Sequence, residues 1–237
     1  MSRRTKPQRY QDILSFPNVS NLHHYQPGEY SSVRGQWADV FGNRNPVTLE
    51  LACGKGEYTL ALGSLYPDRN FIGLDIKGDR IWKGARQALD KGMENVHFIR
   101  TQIDHICNYF SAGEVDEIWI PFPDPYPKKS KKQKRLTHPV FLRRYFDIIQ
   151  PGGLIHLKTD NDHFFNFTLQ VIHILGLPLE QQVPDIYRLE NIPDYLDIQT
   201  FYEKQHLSVG CTIKYVSFGL NDAVNNAVGR KEIESLT

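Results

Sequence analysis

The chain has 237 residues, of which 40% are hydrophobic, and this is enough to bury a sizeable core in one domain. Its 28 basic and 27 acidic residues give a formal net charge of +1, so the protein is neither basic nor acidic overall. A polyanion would therefore have to bind at a local basic patch. The three cysteines are widely spaced, no signal-peptide pattern begins the chain, and no run of about eighteen apolar residues occurs, so we expect an unexported cytoplasmic protein without a membrane span.

The first part of the chain, residues 1–45, differs from the rest in composition and hydrophobic pattern. It is polar, contains prolines and shows no sustained hydrophobic periodicity, apart from one short helix expected around residues 32–41. Its first residues are basic. We therefore predict a partly flexible, basic N-terminal extension over residues 1–45 and a folded domain over residues 46–237.

The domain alternates short apolar runs with helical patterns. Five runs are predicted as strands: VTLELA, NFIGLDI, VHFIRT, VDEIWIPF and GLIHLKT. Helices are predicted over residues 58–65, 79–91, 103–109, 139–149 and 164–175. This alternation predicts an α/β fold with a doubly wound, mostly parallel sheet covered on both faces. Later, TFYEKQHL reads as a helix and CTIKYVSFGL as a last strand that could add antiparallel to the sheet edge.

The loop after the first strand, LELACGKGEY, has the features of a nucleoside-binding turn. Glu50 ends the strand, and Gly54 and Gly56 let the backbone pass close beneath a ligand. Thr59 stands where a dinucleotide fingerprint needs its third glycine, and no G-K-[ST] follows, so a pyrophosphate site is disfavoured. Tight packing between strand and helix would also explain the two glycines taken alone.

Asp75 ends the next strand, at the same predicted edge of the sheet. A carboxylate there can accept hydrogen bonds from both ribose hydroxyls of a nucleoside seated on the first loop. A helix N-cap would explain Asp75 equally well in isolation. Together with Glu50 and the missing third glycine, the nucleoside interpretation is favoured.

A rigid acidic turn lies directly before a basic run in FPDPYPKKSKKQKRLTHPVF. Pro123 and Pro125 restrict the backbone on either side of Asp124. The basic run follows within the fold and not at a tail, which favours contact with RNA phosphates over a merely solvated face.

These motifs, in order, resemble those of the bacterial tRNA (guanine-N(7)-)-methyltransferases. The resemblance rests on E-x-x-C-G-K-G-E, a strand-end acid, F-P-D-P-Y-P-K-K followed by K-R-L-T, then L-K-T-D-N and T-F-Y-E-K, and it covers about residues 47–204. It implies a class I, Rossmann-like methyltransferase domain that uses S-adenosyl-L-methionine. It also implies methyl transfer to N(7) of a guanosine in tRNA, in the variable loop. The oligomeric state stays open between monomer and homodimer.

The resemblance also implies roles for individual residues. The cofactor-binding set is Glu50, Gly54, Gly56, Asp75, Gln102 and Asp124, where the two glycines come from the loop itself. The substrate-binding set is Lys128, Lys131, Lys132, Lys134, Arg135, Asp160, Thr200, Tyr202 and Glu203. The sequence departs from the family pattern in two ways. Ala52 replaces a common glycine, Gln102 a usual aspartate and Tyr126 a usual tryptophan, and in the basic loop the usual basic and histidine pattern is altered by Ser130, Lys131 and Gln133.

Asp124 is the predicted catalytic residue, acting by position and charge. Guanine N(7) attacks with an in-plane lone pair and carries no proton, so the attack requires no general base. A fixed carboxylate can stabilise the purine as it becomes cationic and can accept from the N–H groups of its Watson–Crick edge. Tyr126 is expected either to stack on the base or to pack over the prolines.

Two other functions stay open from the residues. The chain could methylate a different nucleic-acid base, since D-P-Y-P superficially resembles the D-P-P-Y signature of amino-group DNA methyltransferases. It could also be a non-catalytic RNA-binding module, although such a module would not need Glu50, Gly54, Gly56 and Asp75 together. The nine histidines show no metal-ligand spacing, so no metal is predicted.

Overall fold

The computed structural model describes residues 4–21 and 29–236, and in these residues eight strands form a single sheet. The strands are β1 Val19–Asn21, β2 Val47–Leu51, β3 Asn70–Asp75, β4 Val96–Arg100, β5 Val115–Pro121, β6 Ile149–Thr159, β7 Leu179–Val183 and β8 Lys214–Gly219. The α-helices are α1 Lys6–Asp12, α2 Trp37–Phe41, α3 Glu57–Leu65, α4 Gly78–Asp90, α5 Pro139–Phe146, α6 Asp162–Leu175, α7 Asp194–Asp197, α8 Phe201–Ser208 and α9 Lys231–Ser235. Short 3₁₀ helices cover Ile103–Asn108, Lys129–Lys134, Ile186–Arg188 and Asp222–Asn226.

The sheet is doubly wound, as the alternating pattern predicted. Its strand order is β1-β4-β3-β2-β5-β6-β8-β7, and β1 to β6 pair in parallel. The chain winds outward from β2 through β3 to β4, then returns to the other side of β2 with β5. The strand order therefore reverses between β2 and β5, where ligands bind in folds of this class.

Helices cover both faces of the central strands. Every residue of β2 and β3 is buried, as expected for parallel strands whose two faces both meet a helix layer. Leu49 and Leu51 of β2 face a core that includes α5 and α6. Thr48 and Glu50 face the opposite layer, where Glu50 contacts α3.

Residues 4–21 of the predicted extension pack against the sheet domain. Helix α1 lies against α4, and a Cβ added to Gly78 would come within 2.7 Å of Ile13 Cδ1, so glycine allows this close approach. Strand β1 pairs with β4 and extends the sheet at that edge. Residues 1–3 and 22–28 of the extension lie outside the described residues.

The final predicted strand is antiparallel as expected, but it does not form the sheet edge. Strand β8 lies between β6 and β7, and β7 is the edge strand that the sequence did not reveal. The residues of β7 are largely exposed, so LEQQV carries no alternating apolar pattern. The predicted helix 103–109 is a 3₁₀ helix with non-helical backbone at His105. In the described ranges no helix is long and apolar enough to cross a membrane.

Candidate active site

The backbone at the strand-order reversal is held in sparsely populated conformations. Ala52, Phe122 and Tyr126 have positive φ angles of 56°, 49° and 41°, and they are the non-glycine residues of the described chain that do so. Ala52 follows β2, and the other two follow β5, on either side of the reversal. Such residues cost free energy and cluster at functional sites. The structure therefore marks this crevice independently of any motif.

Glu50 lies buried at the base of the crevice. Its Oε2 accepts a hydrogen bond of 2.7 Å from the Thr59 backbone N–H and another from the Thr59 hydroxyl, which leaves Oε1 available to a ligand. Burial raises the pKa of Glu50 to about 8, and the nearby carboxylate of Asp75 adds to the effect, whereas the bonds from Thr59 oppose it. The Glu50 carboxyl is therefore mostly protonated at neutral pH, until a ligand cation favours its ionised form.

Asp75 joins the two loops that form one wall of the crevice. Its Oδ2 accepts from the Gly54 N–H at 2.9 Å, and its Oδ1 accepts from the Lys77 N–H at 2.8 Å. Each carboxylate oxygen retains a second lone pair, so the bonds to backbone and to ribose hydroxyls are compatible. Asp75 would thus both shape the glycine loop and bind a nucleoside.

The glycine loop has room for a ligand. Gly54 and Gly56 have φ angles of 58° and 69°. A Cβ on Gly56 would meet the Phe98 ring at 2.6 Å, so this glycine serves packing, whereas a Cβ on Gly54 would meet no atom within 4 Å. Gln102 is exposed at the end of β4, next to the strand that ends in Asp75. Open space at Gly54, beside Glu50 and Asp75, fits a nucleoside cofactor.

Asp124 is exposed, although the turn that carries it is firmly anchored. The Phe122 N–H donates to the Lys158 carbonyl at 2.8 Å, and Pro123 is buried. Tyr126 is half-buried, and burial together with the negative charge of Asp124 raises the pKa of its phenol. The Asp124 carboxylate and the Tyr126 phenol are therefore close enough to meet one substrate.

Arg135 anchors the other end of this turn. It is fully buried, its Nε and Nη2 donate to the Tyr126 carbonyl at 3.3 and 3.1 Å, and Nε also reaches the Pro125 carbonyl at 3.3 Å. Its guanidinium lies over the Phe167 ring and contacts His163 Nε2 at 2.7 Å. The prediction that Arg135 contacts tRNA therefore requires correction, because a fully buried side chain cannot reach phosphate.

Lys132 requires the same correction. It is 6% exposed, and its Nζ donates to the Ile233 carbonyl of the C-terminal segment at 3.3 Å. Lys132 lies on the inner face of the 3₁₀ helix Lys129–Lys134, and Arg135 follows this helix in extended backbone and is also buried. Lys128, Lys131 and Lys134 repeat at every third residue, and all three are exposed. These three lysines form the outer basic stripe.

Asp160 follows β6 and is held by two basic side chains. Its Oδ2 lies 2.8 Å from His206 Nδ1 on α8, and its backbone carbonyl accepts from Lys214 at 3.2 Å. The carboxylate is half-buried and faces α8. Asp160 therefore contacts the second half of α8, and its role in binding substrate stays a prediction.

The residues of the predicted substrate-binding segment 200–203 have different roles in the structure. Thr200 is the N-cap of α8, because its hydroxyl accepts from the Glu203 N–H at 3.2 Å, and Tyr202 is 57% exposed. Glu203 is fully buried and forms an ion pair of 2.8 Å with Lys158, which is also fully buried. Direct contact between Glu203 and substrate therefore does not agree with the structure, and its role is to hold this segment.

The buried pair of Lys158 and Glu203 was not identified as such from the sequence. The Lys158 ammonium also donates to the Leu196 and Ile198 carbonyls at 2.7 and 2.9 Å. Desolvation lowers the pKa of Lys158 and raises that of Glu203, while their attraction opposes both shifts. A lysine inside the apolar strand GLIHLKT was the available signal, since such a cation needs an internal partner.

The described residues contain no group of three or more His, Cys, Asp or Glu side chains that could hold a metal ion.

Comparison with known proteins gives matches over most of the chain. A family model described as "Putative methyltransferase" matches residues 44–215. The tRNA (guanine-N(7)-)-methyltransferase of Bacteroides thetaiotaomicron is 44% identical over 92% of this chain and 86% of that protein. A protein of the same name from Porphyromonas gingivalis is 48% identical over 80% of this chain and 78% of its own length.

Solved structures support the fold. The 16S rRNA methyltransferase KamB superposes with a TM-score of 0.60 at 14% identity, covering 83% of this chain and 95% of that one. An S-adenosylmethionine-dependent methyltransferase from Aquifex aeolicus gives a TM-score of 0.51 at 12% identity, over 78% and 87% of the two chains. At these identities the likeness concerns the fold alone.

Proposed function

Because the chain belongs to the tRNA (guanine-N(7)-)-methyltransferase family, we propose that it transfers a methyl group from S-adenosylmethionine to N(7) of a guanosine in tRNA. We place the reaction in the crevice between β2 and β5, within a methyltransferase domain of residues 46–237, and the modified guanosine in the variable loop. When bound, S-adenosylmethionine supplies an electron-poor methyl carbon on a sulfonium.

The residues that would hold this cofactor lie on the β2 side of the crevice. Asp75 would accept from ribose hydroxyls, Gly54 would allow close approach, and Gln102 would offer an amide to the adenine edge. Glu50 Oε1 would meet the cationic amino group, with which a carboxylate forms a charge-assisted hydrogen bond. Asp124, from the β5 side, would meet both cofactor and guanine.

The guanine would be received on the β5 side. N(7) carries no proton, so the protein needs to orient the base and stabilise its developing positive charge. Asp124 can do both, because its exposed carboxylate projects from a turn that is fixed by the Lys158 carbonyl and by Arg135. Tyr126 has a ring beside this carboxylate that can stack on the base.

The tRNA body would be held by phosphate contacts outside the crevice. Lys128, Lys131 and Lys134 point outward from the 3₁₀ helix that follows the turn, and exposed lysines of this kind supply sequence-independent affinity. Tyr202 and Asp160 lie on the neighbouring wall and would contact the target nucleotide. Thr200 would keep α8 in place through its cap.

One observation carries the assignment most strongly: an exposed carboxylate stands on an otherwise immobilised turn at the strand-order reversal, immediately before an outward row of lysines. A non-catalytic RNA-binding module would need the lysines but neither the anchored acid nor the open space at Gly54. This arrangement supports an enzyme acting on RNA.

The test is incubation of the purified protein with labelled S-adenosylmethionine and bulk tRNA, followed by digestion and nucleoside analysis. We expect label in 7-methylguanosine, and mapping should place it in the variable loop. Label in another methylated base would establish the alternative substrate. Cofactor binding by calorimetry without methyl transfer to any tRNA would contradict the proposal.

A further inference from the structure

A cavity separate from the crevice lies on the α3 side of the sheet. It has a volume of about 260 Å³ and is bounded by the end of α3, by β5 and β6, and by Tyr195 of α7. Phe71, near the start of β3, and Glu117, early in β5, line it. Trp119 and His156, which also line it, lie past the middle of β5 and β6, and Trp119 pairs in register with Glu50. The cavity thus lies within the length of the strands, whereas Asp75 is at the carboxyl end of β3 and Asp124 is beyond that of β5.

The cavity has aromatic walls. The Trp119 and His156 rings stack face to face, with centroids 4.3 Å apart and an angle of 3° between their planes, so a further ring can meet the pair at an outer face or at its edges. Tyr195 meets Trp119 edge-on at 5.7 Å, and Tyr66 closes another side. Offset-stacked and edge-to-face contacts with such rings are both favourable for a planar ligand.

The polar groups around this cavity are mainly donors, and two of them lack acceptors. His156 is 7% exposed, and neither its Nε2 nor the Arg69 Nε has a hydrogen-bond partner. His156 Nε2 faces the carboxylate of Glu117 at 3.7 Å, and that carboxylate, paired with Arg69, can only accept. The tautomer that fits this neighbour carries its ring proton on Nε2, and the Tyr215 hydroxyl then donates to His156 Nδ1 at 2.7 Å. The unpartnered nitrogen is thus a donor.

The carboxylate of Glu117 is the acceptor nearest to these donors, but it does not bond closely to all of them. Glu117 pairs with Arg69 Nη2 at 2.9 Å but lies 3.4 Å from Trp119 Nε1 and 3.7 Å from His156 Nε2. Buried donors without acceptors cost free energy, so an acceptor oxygen brought in by a ligand would be favoured. Arg69 and Glu117 already neutralise each other, which removes the electrostatic advantage of a charged ligand.

We propose that this cavity is a second ligand site, which takes a small, uncharged, planar heterocycle carrying a ring carbonyl, as in an oxo-pyrimidine or oxo-purine base. The ring would lie against the stacked pair of Trp119 and His156, and its carbonyl would accept from the unpartnered donors after a small displacement of Glu117. None of the residues that line the cavity is among those predicted to bind cofactor or substrate.

The experiment compares three six-membered rings as probes of the full chain: uracil, benzoate and benzene. Uracil is neutral with carbonyls, benzoate is anionic, and benzene has no acceptor. Binding is followed by the indole N–H resonance of Trp119, identified by its absence in Trp119→Phe, with Trp37 and Trp82 as internal references. Saturating S-adenosylmethionine is present to occupy the cofactor side of the crevice, and binding of a probe at the guanine position would not depend on His156 or Arg69.

We expect uracil to shift the Trp119 resonance with at least tenfold higher affinity than benzene or benzoate. His156→Phe keeps a flat ring without a donor, and Arg69→Lys keeps the charge without Nε, so each should weaken uracil at least severalfold. If His156→Phe does not fold, Arg69→Lys, at the rim of the cavity, still tests whether the unpartnered donors bind uracil. Equal affinity for benzene would make the cavity a plain apolar void, tighter benzoate binding would overturn the charge argument, and absence of any shift at Trp119 would overturn the site itself.

Discussion

Arg135 donates to the backbone carbonyl of Tyr126 through both Nε and Nη2, at 3.3 and 3.1 Å, from a fully buried position beneath the turn that carries Asp124. Tyr126 has a φ of 41°, so the guanidinium holds a conformation that the chain would otherwise avoid. A charge that looks like part of an RNA-binding run is thus a support of the active-site turn.

Substituting this arginine should therefore damage catalysis more than tRNA binding. Arg135→Lys keeps the charge but removes the planar fork, and we expect about 1.5 to 3 kcal/mol lower free energy of unfolding. Turnover should fall by about tenfold or more, because Asp124 is no longer aligned. Denaturant unfolding and single-turnover assays measure the two effects.

Lys134→Ala is the matched control at the neighbouring position. Its side chain is exposed, so tRNA affinity should fall while stability and single-turnover rate at saturating tRNA stay near wild type. Identical behaviour of the two variants would remove the distinction between the inner and outer faces of this helix.

The outer basic stripe should govern the salt dependence of tRNA binding. Replacing Lys131 and Lys134 by alanine should lower the slope of log affinity against log salt by about one unit for each phosphate that is no longer neutralised. Lys132→Ala, on the inner face, should leave the slope unchanged and affect stability instead. Filter binding at several salt concentrations checks this, and an unchanged slope in the double variant would show a merely solvated face.

Asp75→Ala should weaken the cofactor. It removes the proposed ribose hydrogen bonds, at a cost of about 1.5 to 3 kcal/mol in binding free energy. It also frees the Gly54 and Lys77 N–H groups, so the glycine loop should become more mobile. Calorimetric titration of the folded variant with S-adenosylmethionine gives the answer, and unchanged affinity would place the nucleoside elsewhere.

The raised pKa of Glu50 predicts how the stability of the folded protein depends on pH. Its pKa is raised from 4.5 to about 8 in the folded chain, so between these values the folded state holds a proton that the unfolded state has released. The free energy of unfolding should therefore fall as pH rises through this window, by up to about 1.4 kcal/mol per pH unit.

Glu50→Gln should remove that decline. Glu180→Gln alters an exposed carboxyl on β7 and serves as the control, because it should leave the slope of the ligand-free protein unchanged. Urea unfolding between pH 5 and 8 measures both. Parallel slopes in wild type and Glu50→Gln would show that Glu50 is ionised throughout.

The sequence predicted best those elements whose hydrophobic pattern matches their burial in the structure. The five strands from VTLELA to GLIHLKT were predicted in place, because parallel strands buried on both faces are continuous apolar runs. Strands β1 and β7 were missed because one has three residues and the other is exposed along most of its length. Neither carries the periodicity on which such predictions depend.

Charged residues were harder to place than apolar ones. Lys132, Arg135 and Glu203 read as surface groups, yet all three are buried and hydrogen-bond to partners distant in sequence or to backbone carbonyls. For the basic run, the three-residue spacing of a 3₁₀ helix was the missing information. Whether the remaining predicted residues bind cofactor and tRNA stays a prediction.

The most direct measurement is the single-turnover rate of 7-methylguanosine formation by Asp124→Asn, at saturating S-adenosylmethionine and tRNA, across a range of pH. The substitution keeps the size and one carbonyl acceptor but removes the charge, so the fold and most tRNA affinity should persist. Without charge stabilisation the barrier should rise by about 2 to 4 kcal/mol, leaving roughly a tenth of a percent to a few percent of the wild-type rate. Because N(7) carries no proton, no steep pH dependence from a general base is expected in either protein. Near-normal turnover in the asparagine variant would contradict the assignment of Asp124 and, with it, the location of the active site.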